Sequence, residues 1–585
     1  VTGSPANTAW ARGLIDELAR AGLREVVVAP GSRSTPLVMA CAADDRLRVR
    51  VHLDERSCGF FALGVGKARG QPAAVITTSG TAVANLFPAV VEASQSGVPL
   101  LVLSADRPHR LRGADANQAI DQLRIFGPYP KAFFELPEPS LDGRSLRHVR
   151  GIAARAWATA CGHRGGPVHV NVPFDKPLEP ELPSAGDVAR DAIAYEGRSD
   201  GAPLVHVESA RPTVTEDQLE ALAGRLHRRS VVIVAGPTEE RARLAPAVRR
   251  LAAVTGFPVL ADPLSGARFG FRDEALVVAG YDLFLRDEQI RAQLAPEVVL
   301  RVGASPTSAA LQRWLFQHAG AHQVVIDDGP RWKDHGGTAT TYLVADPTNA
   351  LDRLSAGWPG SDEAASVGWT AADAAARRVL AGIADEDLGE GGVAAATMRA
   401  LPDGATLFVS SSMPIRDVDA FVSPASRDVS VFGSRGASGI DGVVSTAFGV
   451  SSQRTGPSVL LIGDVALFHD QNGLMWSRET DAPVVIVLVD NDGGAIFGML
   501  PISDHDPDFT TYFTTPHGLD LSEAARAYGL AVHDVPIQGV ESAVRAAMSS
   551  GASALVHVRT DGEEGHRLRA GARDAVITSV REALH

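Results

Sequence analysis

The chain has 585 residues, enough for about three to five domains, and its 45% hydrophobic and 21% charged residues are ordinary for a globular protein with a large buried core. A net charge of −14 argues against a nucleic-acid partner, whose phosphates demand clustered Lys and Arg, but leaves room for anionic small substrates read by local arginines. Cys41, Cys58 and Cys161 are widely spaced with no C-x-x-C, so neither a zinc ribbon nor a disulfide framework is expected, and a reducing cytoplasm fits. The first residues lack a charged-then-apolar signal pattern and no run of about 18 apolar residues occurs, so no stable membrane insertion is expected.

Along the chain, short β-branched runs alternate with helical stretches. Residues Trp10–Leu23 read as a helix with Trp10, Leu14, Leu18 and Ala21 on one face. Strands are expected at Val26–Ser32, Val49–Leu53, Ala73–Gly80, Pro99–Pro108 and Pro167–Pro173; most are apolar on both faces, as buried parallel strands are. A Pro- and Gly-rich stretch, Asp175–Pro203, reads as a linker. A second set of strands follows at Ser230–Pro237, Phe257–Pro263, Val298–Pro306 and Gln323–Pro330, closed by a loose stretch at Ser355–Trp369. The third set is Thr406–Ser412, Val429–Gly436, Ser458–Asp464, Pro483–Asp492 and Ser553–Arg559. The alternation predicts an α/β protein of three consecutive doubly wound, mostly parallel-sheet domains, over 1–185, 204–355 and 370–585. In such sheets ligands bind beyond the carboxyl ends of the strands.

The most informative segment is Gly463–Phe497. Asp464 ends one apolar strand and Asn491 ends the next, 27 residues later, so one βαβ unit brings two oxygen side chains to the same sheet edge. A hard divalent cation takes such oxygens and shares them with substrate phosphates. Asp and Asn also cap strands and start turns, but this spacing, followed by Gly493 and Gly494 where backbone can approach a phosphate, favours the metal reading. In the N-terminal third, a short strand runs into an Ala/Gly-rich helix at Asp54–Arg56, and charge alone leaves either Asp54 or Glu55 as a solvated helix-start acid. Gly64, Gly66 and Gly70 have the wrong spacing and placement for a dinucleotide fingerprint.

The GD…N segment resembles the motif of thiamine-diphosphate enzymes. The resemblance makes Asp464, the Asn491 side chain and the Gly493 carbonyl the ligands of Mg2+, with Mn2+ as the alternative ion. Many members read NN where this chain has Asp490-Asn491, and Asp490 is expected behind the ligands. The resemblance also selects Glu55 as the catalytic carboxyl group that bonds the cofactor's pyrimidine nitrogen. Burial is expected to raise its pKa. Thr81, in the matching turn Thr77–Leu86, and Gly436, Ser438, Ile440, Ile496 and Phe497 are implied to contact the cofactor. Ile440 would hold its two rings bent.

Further segments, Ala29–Leu37, Ser104–Pro108, Gly113–Gln122, Ser411–Asp417 and Ser434–Gly442, resemble one family in particular, the 2-succinyl-5-enolpyruvyl-6-hydroxy-3-cyclohexene-1-carboxylate synthases of menaquinone biosynthesis. The resemblance runs over nearly the whole chain. It implies decarboxylation of 2-oxoglutarate and conjugate (1,4) addition of the remaining unit to isochorismate. Both substrates are dicarboxylates, and arginine binds carboxylates bidentately. Arg33, Arg107, Arg416 and Arg435 are assigned to them, with Ser32, Asn117, Gln118 and Ser412 as hydrogen-bonding partners and Ile496, Phe497 and Leu500 as an apolar wall. Some relatives carry a basic residue in the middle domain where this chain has Ala309-Ala310, with Arg313 beyond, so a middle-domain contribution to substrate binding is not expected, nor is a bound flavin. The family's cofactor lies between the first domain of one subunit and the third of its partner, which implies a homodimer or homotetramer with shared sites. Within the superfamily the alternative is an acetohydroxyacid synthase or 2-oxo-acid decarboxylase. Outside catalysis it is a silent thiamine-fold binding protein, against which intact Glu55, Asp464 and Asn491 argue. No G-x-S-x-G, H-E-x-x-H or P-loop is present to support a hydrolase.

Overall fold

The computed structural model describes residues 4–163, 165–271, 274–329, 331–360 and 367–585. They group into two units: Val1–Ala210 with Ser434–Arg454 and Asp470–Ala482, and Arg211–Gly433 with Thr455–His469 and Pro483–His585.

The first unit holds β1 (Glu25–Val28), β2 (Arg48–Val51), β3 (Ala74–Thr77), β4 (Leu100–Asp106), β5 (Ala132–Glu135) and β6 (Pro167–Pro173). They form one parallel sheet in the order β2-β1-β3-β4-β6-β5. β1, β3, β4 and β6 are buried at every position, which is why their sequences are mostly apolar, and polar residues of β4 and β6 are bonded to one another where they are buried, Ser104 to His169 and Asn171, and Asn171 to Asp106. The first helix starts earlier than its apolar face predicts, spanning Ser4–Ala21, and buries Trp10, Leu14 and Leu18 in the core over the sheet. Helix Glu55–Arg69 packs on helix Val443–Ser451. The contact is close because glycines face each other: a Cβ on Gly64 would lie 2.2 Å from the Thr446 carbonyl, and one on Gly449 2.2 Å from that of Phe61. Gly64 therefore serves helix packing. The expected linker Asp175–Pro203 is not structureless. It carries two short helices, Ala185–Arg190 and Ala192–Glu196, capped by Ser184 and Asp191. Arg20 anchors the end of the stretch by donating to the carbonyls of Glu196, Arg198 and Ala202.

The second unit holds two sheets. One contains β7 (Val231–Ala235), β8 (Val259–Ala261), β9 (Val277–Val278), β10 (Val298–Val302), β11 (His322–Ile326) and β12 (Thr341–Leu343), in the order β12-β11-β10-β7-β8-β9. The other contains β13 (Thr406–Val409), β14 (Ser430–Gly433), β15 (Ser458–Gly463), β16 (Val484–Asp490), β17 (Ala531–Asp534) and β18 (Ala554–Arg559), in the order β14-β13-β15-β16-β18-β17. All pairs are parallel. A buried polar cluster ties the segments of the two sheets together: Arg268 pairs with Asp419 at 2.8 Å and Tyr281 donates to the same carboxyl at 2.6 Å. Burial pushes Asp419 up to about 8, against the Arg268 charge.

The fold is therefore the expected one, three parallel sheets each wound in both directions. Four strands are additional to those expected, β5, β9, β12 and β17, and each lies at a sheet edge. β5, β12 and β17 are only partly covered and β9, though buried, is two residues long, so none carries a continuous apolar signal. Helices Pro347–Ala356 and Val367–Ala381 take up the ends of the expected stretch Ser355–Trp369; its residues 361–366, and Pro330 at the end of an expected strand, lie outside the described residues. Among the described residues no helix is long and apolar enough to cross a membrane.

Candidate active site

In the first sheet the winding reverses between β1 and β3, and the crevice at that point is where an open α/β sheet offers ligands its strand ends. Ser32 and Arg33 follow β1; Gly80 and Thr81 follow β3. The two loops touch: a Cβ on Gly31 would fall 2.3 Å from the Thr78 side chain, and Arg33 N–H bonds Thr78 Oγ1 at 3.3 Å. Arg33 is buried, donates to the Phe174 carbonyl at 2.7 Å and keeps an unpartnered Nε. Burial, then the neighbouring Arg107 charge, pushes its pKa down, with Asp175 and Asp106 opposing. Like charges that disfavour each other's ionisation in this way would be relieved by an anion bound near them. Arg107 itself grips the Asn117 carbonyl through Nε and Nη2, at 3.0 and 2.8 Å. Gln118, in the left-handed region at φ 56°, bonds the Ser79 carbonyl at 2.9 Å, and Gln122 accepts the Gly80 N–H at 2.9 Å. Loop Gly113–Gln122 is thus pinned onto the turn before Thr81, while Ser32, Thr81, Asn117 and Gln118 remain exposed.

The helix-start acids separate clearly. Asp54 is the cap: its Oδ1 accepts the Arg56 N–H at 2.9 Å and its Oδ2 the Asn472 amide at 3.0 Å. Glu55, the first helical residue, is left with only a long contact, 3.4 Å from Asn85 Nδ2. Its side chain is half-exposed, so the burial expected around it is not supplied by the first unit of a single chain. In the same unit, Glu92 is buried and accepts the N–H groups of Gly436 and Ala437 at 3.0 and 2.6 Å, with Lys67 3.6 Å away. This fixes the loop that carries Arg435, Gly436, Ser438 (φ 64°) and half-exposed Ile440.

In the third sheet the winding reverses between β13 and β15. Ser412 lies beyond β13 at φ 73°, at the N-terminus of helix Met413–Phe421, and Arg416 on that helix donates back to the Ser412 carbonyl. Asp464 follows β15 and Asn491 follows β16, whose register pairs Gly463 with Val489. Asp464 accepts the N–H groups of Val465 (2.7 Å), Gly493 (2.9 Å) and Asn491 (3.2 Å). Burial pushes its carboxyl up, against those N–H dipoles of Gly493 and Val465. Gly493 sits at φ 142°, where a Cβ would meet the Thr514 carbonyl at 2.2 Å, so only glycine fits. Asn491 Oδ1 is buried without a hydrogen-bond partner. Asp490 is turned to His557 at 2.9 Å; burial opposes its ionisation, but that bond holds it below the usual carboxylate range. His557 is raised in return, by Asp490 and then by Asp534 against burial. His517 Nε2 lies 3.4 Å from Asp464.

These residues suit a divalent cation. A carboxylate already oriented by three N–H groups and an orphaned amide oxygen are hard, fixed donors at one sheet edge. Asp490 is bonded to His557, and it also has a carboxylate oxygen within 4.8 Å of ligand atoms of Asp464 and His517. Ile496, Phe497 and Leu500 lie on or just after the turn Ala495–Met499, with Phe497 and Leu500 37% and 48% exposed, an apolar surface that follows Asn491 and Gly493 in the chain. In the middle sheet the corresponding crevice, between β7 and β10, is filled by the chain itself: Ala304 N–H bonds the Pro237 carbonyl, and a Cβ on Gly236 would fall 1.7 Å from the Ala304 carbonyl. Ala309 starts helix Ala309–Gln317, Ala310 is buried and Arg313 points to solvent. Sequence reasoning does not find Glu92, Glu390 or His557, whose partners are distant in the chain.

Three family models match: the N-terminal thiamine pyrophosphate-binding domain of thiamine pyrophosphate enzymes over residues 9–125, their middle domain over 200–409 and their C-terminal thiamine pyrophosphate-binding domain over 421–558. The chain is 46% identical, over 97% of its length and 98% of the relative's, to a 2-succinyl-5-enolpyruvyl-6-hydroxy-3-cyclohexene-1-carboxylate synthase of Halobacterium salinarum. It is 43% identical to a protein of the same name from Roseiflexus castenholzii (98% and 99% covered) and 41% identical to one from Haloarcula marismortui (100% of both). Its fold is similar to the X-ray structure of a Mycobacterium smegmatis protein described as a thiamin diphosphate-dependent enzyme, with a TM-score of 0.69 at 20% identity over 94% of this chain and 98% of that one.

Proposed function

The chain belongs to the family of 2-succinyl-5-enolpyruvyl-6-hydroxy-3-cyclohexene-1-carboxylate synthases, thiamine-diphosphate enzymes, and from this we propose that it decarboxylates 2-oxoglutarate and joins the remaining succinyl semialdehyde unit to isochorismate by conjugate (1,4) addition, in menaquinone biosynthesis. The observation that carries this reading is the Asp464–Asn491–Gly493 cradle with its unsatisfied amide oxygen, in a chain alike over its full length to synthases of that name. When bound, thiamine diphosphate supplies the nucleophilic carbon and takes up the electron pair released with CO2.

The chain's own residues do the rest. Asp464, Asn491 Oδ1 and the Gly493 carbonyl would hold Mg2+ (or Mn2+), whose charge would favour the cofactor's diphosphate there. Glu55 holds a proton at the pyrimidine nitrogen. Thr81, Gly436 and Ser438 would line the cofactor, and Ile440 would pack against its rings. Arg33 and Arg107 form one carboxylate site and Arg416 and Arg435 contribute further positive charge, with Ser32, Asn117, Gln118 and Ser412 as hydrogen-bonding groups. Ile496, Phe497 and Leu500 keep water from the reacting carbon. The half-exposed Glu55 and Ile440 and the exposed Phe497 and Leu500 support a site completed by a second copy, hence a homodimer or homotetramer. Free Cys41, Cys58 and Cys161 support a cytoplasmic enzyme.

The test is the product mass after incubation with thiamine diphosphate, Mg2+ and 2-oxoglutarate, with and without isochorismate. A product equal to isochorismate plus the succinyl semialdehyde unit is expected, and is lost in Glu55→Gln. Consumption of pyruvate with 2-oxoglutarate untouched would place the chain's activity with the acetohydroxyacid synthases and remove the arginine assignments.

A further inference from the structure

Asn491 ends in a carboxamide whose two faces are nearly equal in size and opposite in chemistry. Its Nδ2 donates to Glu390 Oε1 at 2.6 Å, while its Oδ1 is buried and unpartnered. Glu390 is 5% exposed and opens helix Glu390–Ala400. An ionised carboxylate only accepts hydrogen bonds. It binds the NH2 face of Asn491 and repels the carbonyl face, so Oδ1 is the atom left turned away. Glu390 is itself held: Arg569 lies 3.7 Å from its Oε2, bonds buried Asp417 and rests over the Phe421 ring at 5.4 Å. The helix start is also packed without slack. A Cβ on Gly391 would lie 2.4 Å from the Phe421 ring, and one on Gly392 2.0 Å from the Asp385 carbonyl.

We propose that Glu390 is a positioning residue for the divalent metal, fixing the amide orientation of Asn491 that presents Oδ1 to the cation. This rests on the metal-site reading above. A neutral amide at position 390 can satisfy Asn491 in either orientation, because it both donates and accepts. The flipped orientation turns an NH2 group toward the cation, which repels it. Partners that orient a metal ligand typically contribute tenfold to a hundredfold in metal affinity.

The experiment is a Mn2+ titration of the full-length protein with thiamine diphosphate present, read by the EPR signal of free Mn2+, with thermal melting to confirm that each variant folds. Glu390→Gln should weaken Mn2+ binding about 10–100-fold, and Glu390→Asp, which keeps the charge, should weaken it less. Asn491→Asp has an oxygen on both faces and needs no orientation. In that background Glu390→Gln, which also removes a facing carboxylate, should leave Mn2+ affinity unchanged or raise it. Equal weakening in both backgrounds, no weakening in the Asn491 background, or a larger loss in Glu390→Asp than in Glu390→Gln would overturn the inference. Asp464→Ala separates the two levels: undiminished Mn2+ binding there overturns the metal-site reading and this inference together, whereas its loss with no dependence on Glu390 overturns the inference alone.

Discussion

Replacing Glu92 by Gln tests how the loop Arg435–Ile440 is held. The Glu92 side chain is 5% exposed, accepts two N–H groups from the loop and lies 3.6 Å from the fully buried Lys67 ammonium. An amide offers one acceptor and one donor, so one loop N–H faces an NH2 and loses its partner, at a cost of about 1–3 kcal/mol. Removing one charge of a buried pair costs about 3–5 kcal/mol. The two effects overlap, and a net loss of roughly 3–5 kcal/mol follows. In a unit of this size that lowers the melting temperature on the order of 10 °C, measurable by scanning calorimetry. Because Gly436, Ser438 and Ile440 ride on this loop, thiamine diphosphate affinity should fall in the same variant. A Glu92→Gln protein melting within about 2 °C of the parent, with unchanged cofactor affinity, would refute the argument that this carboxylate fixes the loop.

Asp470 is fully buried, and burial pushes it up to about 6 against its bonds from Ser445. The folded state therefore keeps the proton after the unfolded chain has lost it, so stability falls as pH rises from about 4 to about 6, by up to roughly 3 kcal/mol. Urea unfolding across that range should show this slope reduced in Asp470→Asn, and an unaltered slope would exclude Asp470 as its source. Gly64→Ala places a methyl group 2.2 Å from the Thr446 carbonyl and must push two helices apart, a loss of about 1–3 kcal/mol or more in melting experiments; a parent-like stability would show that the helices part freely. Mixing inactive Glu55→Gln with inactive Asp464→Ala should restore part of the activity, since one hybrid site then has both native residues. No recovery after confirmed subunit exchange would rule out a shared site.

The core strands are legible in sequence because burial on both faces favours a near-continuous apolar run: residues 26–28 and 484–489 carry that signature, while the edge strands Ala132–Glu135 and Ala531–Asp534 do not. The Asp464–Asn491 pair is legible for a related reason. Two adjacent parallel strands joined by one crossover fix where their ends fall, so a spacing of 27 residues carries geometric meaning.

What local sequence cannot contain is the choice among partners brought together from afar. Asp54 and Glu55 are neighbours with the same charge, and only folding shows Asp54 spent on capping its helix and Glu55 left available. Glu390 meets Asn491 across 101 residues and Glu92 meets Gly436 across 344. Composition, periodicity and motif spacing determine the three sheets and the sheet edge where chemistry collects, because those follow from burial and from the short reach of one crossover. Which carboxylate orients which amide or loop is decided only in the tertiary structure, because a hydrogen bond depends on distance in space and places no mark on the intervening chain.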